Sequence, residues 1–323
     1  MENKIVQVTT FPFGVCNPEP SLLLRSTGFE VRYNPFERRL RPEEVSDLTT
    51  EAHGIIAGTE PYTEKVIKRC KKLKVISRVG VGLDNVDLRA CKDRGVIVTY
   101  TPDPPAEGVA DLTVGQIVNL LRGIYRSNES VKSGFWDRII GRLISEVKIG
   151  VLGVGRIGKR VVKRLEAFGA EVYGCDIKPD YAFGKAYNLK WVSKEKLFEI
   201  CDLVTVHIPM SKTNYHCVGF EEMSRMKLGS FLVNTSRGPV VDESALLSLL
   251  QNHHLGGVAL DVFEKEPYEG PLVNFENVIF TAHIGASASH CRYKMELGAA
   301  QDCIKVLSGK KPDNMVTEDM LNE

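Results

Sequence analysis

The feature that most restricts this chain's fold is a rhythm that occurs twice. Short apolar runs alternate with longer amphipathic segments. The first series is KIVQVTT (4–10), GIIAG (54–58), KVISRVG (74–80) and VIVTYT (96–101), with helix-period stretches such as 63–72 and 86–94 between them. The second is KIGVLG (148–153), EVYGCD (171–176), LVTVHI (203–208), SFLVNTS (230–236), GGVALDV (256–262) and NVIFTAH (277–283). Apolar on both faces and spaced by crossover-length segments, these runs read as buried parallel strands. Prolines 102, 104 and 105 punctuate the join. A long helix pattern follows from about 106 to 127, with apolar Val109, Leu112, Ile117, Leu120, Leu121 and Ile124. The 323 residues suit two domains of about 150 each. Open parallel sheets bind ligands beyond the carboxyl ends of their strands, so functional residues are expected just after each run.

Composition removes several alternatives. Lys and Arg number 42 against 41 Asp and Glu, a net charge of +1. That gives no broad attraction to nucleic acid or an anionic membrane. No apolar run approaches the roughly 18 residues of a membrane span. The cysteines at 16, 70, 91, 175, 201, 217, 291 and 303 contain no CxxC pair, so no metal site and no redox motif is expected. Scattered thiols in a long chain point to a reducing compartment, the cytoplasm. The start, Met1-Glu2-Asn3-Lys4, enters a strand-like segment without the basic head and apolar stretch of a secretory leader.

Within the second series, Gly153, Gly155 and Gly158 form G-x-G-x-x-G between a strand and a helix pattern running from Arg156 to Phe168. The first glycine permits the tight turn, the second lets a pyrophosphate approach the backbone, and the third lets helix and strand pack closely. The helix N-terminus offers free N–H groups to phosphates. The next strand ends at Asp176, placed to bond the adenosine ribose hydroxyls; an acid there repels a 2′-phosphate, so NAD is favoured over NADP. Three ionisable residues follow later runs: Arg237, Glu266 and His283. Singly they have bland readings as a helix cap, a solvated acid and a satisfied core histidine. Together they occupy the ligand-binding edge of such a sheet.

The segments RVGVGLDNVDL (78–88), GVADLTVGQI (108–117), GVLGVGRIGKRVV (150–162), VHIPMSKTNYH (206–216), LVNTSRGPVVDESAL (232–246), GVALDVFEKEP (257–267) and TAHIGA (281–286) resemble, in order and spacing, the D-isomer-specific 2-hydroxyacid dehydrogenases in their short, phosphoglycerate dehydrogenase-like form. The resemblance implies roles. Arg237 would hold the substrate carboxylate and reacting carbonyl, which suits a guanidinium fork. His283 would be the acid when a 2-oxo acid is reduced and the base in reverse, with Glu266 fixing its tautomer. The backbone of the Val79-Gly80-Val81 loop would grip the substrate carboxylate. Val81, Arg156, Ile157, His207, Ile208, Pro209, Thr235, Ser236, Asp261 and Gly285 would join the three glycines and Asp176 around NAD, with Asp261 at the nicotinamide amide.

The same resemblance implies a flavodoxin-like substrate domain over 1–101 and 289–323 and a Rossmann NAD-binding domain over 102–288, the active site lying between them. It also implies a homodimer built through the cofactor domain, for which the apolar face of the 106–127 helix is a candidate. Phosphoglycerate dehydrogenases usually carry a phosphate-binding arginine where this chain has Gly58, followed by Thr59 and Glu60. Glu60 and Asp103 suggest instead a substrate bearing a hydroxyl or amino group. The competing functions are D-3-phosphoglycerate dehydrogenase itself, an NAD(H)-sensing corepressor, and an oxidoreductase acting on a different small acid.

Overall fold

In the computed structural model, which describes residues 4–317 and 320, the chain separates into two compact units. One comprises the residues up to Pro105 together with those from Ala286 onward; the other is Ala106–Gly285. Met1, Glu2 and Asn3, and positions 318, 319 and 321–323 at the far end of the expected substrate domain, lie outside the described residues.

The first unit is built on β1 (Ile5–Val8), α1 (Glu19–Ser26), β2 (Glu30–Tyr33), α2 (Pro42–Thr49), β3 (Gly54–Ala57), α3 (Glu64–Arg69), β4 (Val75–Arg78), α4 (Leu88–Asp93) and β5 (Ile97–Thr99). All pairings are parallel, in the order β2-β1-β3-β4-β5, which is the flavodoxin-like arrangement. The strands of the four apolar runs are where the sequence places them. β2 was not expected: it sits at the sheet edge, half-exposed along most of its length, so no apolar run marks it.

The second unit opens with α5 (Pro104–Arg122), which begins at the join, and α6 (Ile124–Lys132). The expected single helix over 106–127 is therefore two. Gly123 between them adopts φ +59°, a left-handed conformation that ends the first helix. Then follow β6 (Lys148–Leu152), α7 (Arg156–Ala167), β7 (Glu171–Cys175), α8 (Tyr181–Ala186), β8 (Lys190–Trp191), α9 (Lys194–Ile200), β9 (Leu203–Val206), α10 (Phe220–Ser224), β10 (Ser230–Asn234), α11 (Glu243–Gln251), β11 (Leu255–Leu260) and β12 (Val278–Phe280). The parallel sheet runs β12-β11-β10-β9-β6-β7-β8. Strand order reverses between β6 and β9, the position where such sheets open a crevice for a ligand. Ile117 and Leu121 of α5 pack with Val151, Val161 and Leu165 in one buried cluster. The helix face considered for dimerisation is thus largely used by the unit's own core.

The last helix, α12 (Ser289–Leu307), returns to the first unit. Its Met295, Ala299, Ala300, Cys303 and Leu307 pack against Val6, Val8, Ile56 and Val75. Among the described residues, no helix is long and apolar enough to cross a membrane.

Candidate active site

β6 delivers the chain into the glycine turn, and each glycine there has a separate reason. Gly153 has φ +89°, and a Cβ at this position would stand 2.6 Å from the His207 carbonyl. A Cβ at Gly158 would stand 2.1 Å from the Gly153 carbonyl, so α7 can sit on the turn only without one. Around Gly155, nothing lies within 4 Å of where a Cβ would project. No protein contact requires that glycine; the open space is a cradle for a ligand's backbone-contacting group.

Asp176, just beyond β7, accepts the Val154 N–H on Oδ2 and the Lys178 N–H on Oδ1, both at 2.8 Å. A cavity of about 600 Å³ is lined by Val154, Gly155, Arg156, Lys159, Asp176 and Lys178, among others. An open glycine at a helix N-terminus, cations around it and a carboxylate at the next strand end fit the pyrophosphate and ribose of NAD.

At the centre of the sheet, His207 follows β9. Its Nε2 lies 2.9 Å from Thr205 Oγ1, while Nδ1 is buried with no partner among the described residues. Burial pushes its imidazole down to about 3, so it is neutral under ordinary conditions. Thr235, beyond β10, shares a 2.8 Å hydrogen bond with Thr113 of α5. Asn234 shapes the turn carrying Arg237. Its Oδ1 accepts from Ser236 N–H (3.0 Å) and Oγ (2.8 Å), and its Nδ2 donates to the Arg237 carbonyl (2.9 Å). Thr113 and Asn234 were not singled out in the sequence; their side chains act through the backbone and through distant partners, which no spacing rule registers.

β11 and β12 build the other end. Asp261 is only 2% exposed. Its carboxylate accepts the Thr281 hydroxyl (2.6 Å) and the N–H groups of Ile284 (2.8 Å) and Gly285 (2.9 Å). Its carbonyl accepts the His283 N–H at 2.8 Å. These bonds pin a turn in which His283 takes φ +52°, a conformation costly for a non-glycine residue unless its surroundings enforce it. His283 Nδ1 lies 3.0 and 3.1 Å from the two Glu266 oxygens. A carboxylate acceptor there places the proton on Nδ1 and leaves Nε2, which has no partner among the described residues, to exchange one. Arg237, Glu266 and His283 all belong to loops beyond β10, β11 and β12, three adjacent strands.

In the first unit the structure corrects two readings. The Val79 N–H donates to the Ala57 carbonyl (2.9 Å) and the Gly80 N–H to Thr101 Oγ1 (2.8 Å), so neither amide is free to grip a carboxylate. The amides of Val81, which is 37% exposed, and of Gly82 have no such partner among the described residues. Glu60 is 1% exposed, accepting the Gly58 N–H at 2.8 Å and facing the Tyr62 hydroxyl at 3.4 Å. It is a buried acid of the β3 loop and presents nothing to a substrate.

The model of the D-isomer specific 2-hydroxyacid dehydrogenase NAD-binding domain matches residues 114–285. The chain belongs to that family. Glyoxylate reductase of Thermofilum pendens is 35% identical to the dehydrogenase across 81% of this chain and 80% of that protein. D-3-phosphoglycerate dehydrogenase of Methanocaldococcus jannaschii is 36% identical across 86% of this chain, which spans only 54% of that longer relative. A solved structure from Thermus thermophilus matches with a TM-score of 0.89 at 32% identity, covering 97% of this chain and 100% of its own. Family membership makes this an NAD-dependent 2-hydroxyacid dehydrogenase.

Proposed function

We propose that the dehydrogenase interconverts a D-2-hydroxy acid and its 2-oxo acid, with His283 moving the proton, Glu266 holding His283 and Arg237 binding the substrate. The observation that carries this reading is the 3.0 Å contact of His283 Nδ1 with Glu266, beyond the carboxyl ends of the same parallel sheet whose β6 leads into the open Gly155 turn. NAD, when bound, supplies or accepts the hydride. The residues that would hold it are Gly153, Gly155, Gly158, Arg156 and Ile157 at the phosphates, Asp176 at the ribose, and His207, Ile208 and Pro209 alongside. Thr235, Ser236, Asp261 and Gly285 would serve the nicotinamide. Asp261 Oδ2 accepts one N–H and keeps capacity for a second donor, such as a carboxamide.

In reduction, the Arg237 fork holds the substrate carboxylate and the C2 oxygen. Charge-assisted bonds of this kind contribute about 1.5–3 kcal/mol each. As C2 gains hydride its oxygen gains negative charge, and His283 delivers the Nε2 proton to it. The Nδ1 proton stays on the Glu266 hydrogen bond throughout. Oxidation reverses the path, Nε2 taking the hydroxyl proton.

A side chain on residue 58 would begin 2.7 Å from a Glu60 oxygen. Residue 58 itself, a glycine, supplies no cation at this position, which favours an unphosphorylated acid. Turnover of NADH with glyoxylate, pyruvate, hydroxypyruvate and 3-phosphohydroxypyruvate tests both parts. Reduction of the unphosphorylated acids is expected. Preference for the phosphorylated acid would overturn the substrate class, and NADH binding without turnover of any acid would favour a sensor role.

Homodimerisation is part of the same proposal, but through a different surface from the α5 face. Ile124, Tyr125 and Val131 of α6 are exposed, as are Trp136 (78%) and Ile140 (98%) in the segment that follows. So many apolar side chains in one stretch mark an interaction surface. Light scattering should give twice the chain mass, and Trp136→Glu with Ile140→Glu should shift it towards one chain. Eight free cysteines support a reducing compartment, the cytoplasm.

A further inference from the structure

Two residues outside the catalytic trio join the segment that carries Arg237 to the segment that carries Glu266. Arg237 is followed by Gly238, and a Cβ on Gly238 would fall 1.8 Å from the Phe263 carbonyl carbon and 2.4 Å from the Glu264 nitrogen. The two segments are thus in backbone contact, with no side chain between them. Glu264 then holds the second segment from three directions. Its N–H donates to Glu243 Oε1 at 2.7 Å, and its Oε1 accepts the Glu243 N–H at 3.0 Å. The same oxygen lies 2.9 Å from His216 Nε2.

His216 in turn is tied to the first segment. Its own N–H donates to the Pro239 carbonyl at 2.8 Å, two residues past Arg237. The strand-like bridge between Val218 and Val241 continues that attachment, with Val218 N–H on the Val240 carbonyl at 3.1 Å. His216 holds φ +51°, and Tyr215 stacks on its ring at 3.9 Å. Asp242, whose Oδ1 caps the first turn of α11, places Oδ2 3.9 Å from His216 Nδ1. Burial, with the Glu264 carboxylate adding to it, raises the Glu243 carboxyl above its usual range.

We infer that Glu264 and His216 are positioning residues for hydride transfer, bracing the Arg237 and Glu266 segments into one body so that the substrate clamp and the proton-transfer pair keep a fixed geometry. The inference rests on the catalytic reading given above. It assigns Glu264 a purpose distinct from Glu266, although only two residues separate them. Misplacing a reacting group by about 1 Å can cost on the order of 100-fold in rate, so a brace needs no contact with substrate to matter.

The test uses the full-length protein, with Glu264→Ala, Glu264→Gln, His216→Ala and His283→Ala assayed together for NADH binding by fluorescence and for kcat and KM in 2-oxo acid reduction. Glu264→Ala is expected to lower kcat by roughly 10–100-fold and to raise the KM for the oxo acid, because both Glu266 and Arg237 lose their support. NADH affinity should stay within about twofold, since the glycine turn between β6 and α7 is formed by other segments than those Glu264 braces. Glu264→Gln keeps an oxygen that accepts both donors and should restore most of kcat. A general loss of folding would not be split in this way between kcat and cofactor affinity. If Glu264→Ala fails to fold, His216→Ala carries the test with the same expected pattern at a smaller size. Wild-type kcat and KM in the foldable variants, with His283→Ala inactive, would overturn the brace alone. An active His283→Ala would instead overturn the catalytic reading on which the brace depends.

Discussion

The two ends of the seven-stranded sheet are organised by different physics. At the β6–β7 end, the groups expected to hold the pyrophosphate and adenosine ribose of NAD come from one strand–turn–helix–strand unit, Gly153 to Asp176, and backbone geometry does most of the work. At the β10–β12 end, Arg237, Glu266 and His283 come from three loops, and side chains fasten those loops to one another. Asn234 holds the Arg237 turn, Asp261 holds the His283 turn, and Glu266 holds the imidazole. The cofactor end is a local motif, whereas the catalytic end is a long-range assembly. Damage at the first should appear as lost binding or folding, and damage at the second as lost chemistry.

The largest expected effect lies at the catalytic end. His283→Ala removes the residue proposed to transfer the proton and should lower kcat by about 10²–10⁴-fold, while NADH still binds, as fluorescence titration would check. If NADH affinity fell in proportion to kcat, the two ends would not be separable. Next in size is Gly158→Ala. Its Cβ would meet a backbone carbonyl at 2.1 Å, so α7 must move off the turn. The cost should be about 3 kcal/mol of stability, as for other overpacked sites, measured by urea unfolding, with binding lost as a consequence.

Between the two ends sits His207. Its imidazole is pushed down to about 3 in the fold, against 6.5 for the free group. Between those values the unfolded chain binds a proton that the folded chain does not, so stability falls as pH drops. From pH 6.5 to 5 the loss should be about 1.6 kcal/mol. His207→Gln, which keeps an amide able to bond Thr205 but takes up no proton, should flatten that part of the curve. An unchanged slope would assign the acid sensitivity to other groups.

This contrast also explains what could be read from the sequence. Apolar runs revealed ten strands because buried parallel strands are apolar on both faces. They missed β2 and β8, which lie at sheet edges where one side meets water. The helix expected over 106–127 ignored Gly123, whose left-handed conformation outweighs a continuous apolar period. The glycine motif was legible because its spacing is its mechanism. Of the Val79-Gly80-Val81 loop expected to grip the carboxylate, the Val79 and Gly80 amides are taken by Ala57 and Thr101, because long-range hydrogen bonds decide which amides stay free. Glu60 was read as facing the substrate because sequence cannot tell a loop acid that turns inward from one that turns out.

The smallest expected effect sharpens the comparison most. Gly155 and Gly158 are three residues apart in one motif, yet only Gly158 is required by a contact within the protein. Alanine at 155 meets no atom within 4 Å, so stability should change by less than about 1 kcal/mol. The added methyl would instead enter the space in which a pyrophosphate approaches the backbone, and NADH affinity should fall by about tenfold, equivalent to roughly 1.4 kcal/mol. Urea unfolding and fluorescence titration on the same preparation give both numbers. Unchanged NADH affinity would mean that the open side of the turn is not where the phosphates lie, and the cofactor end would have to be redrawn while the catalytic end stood.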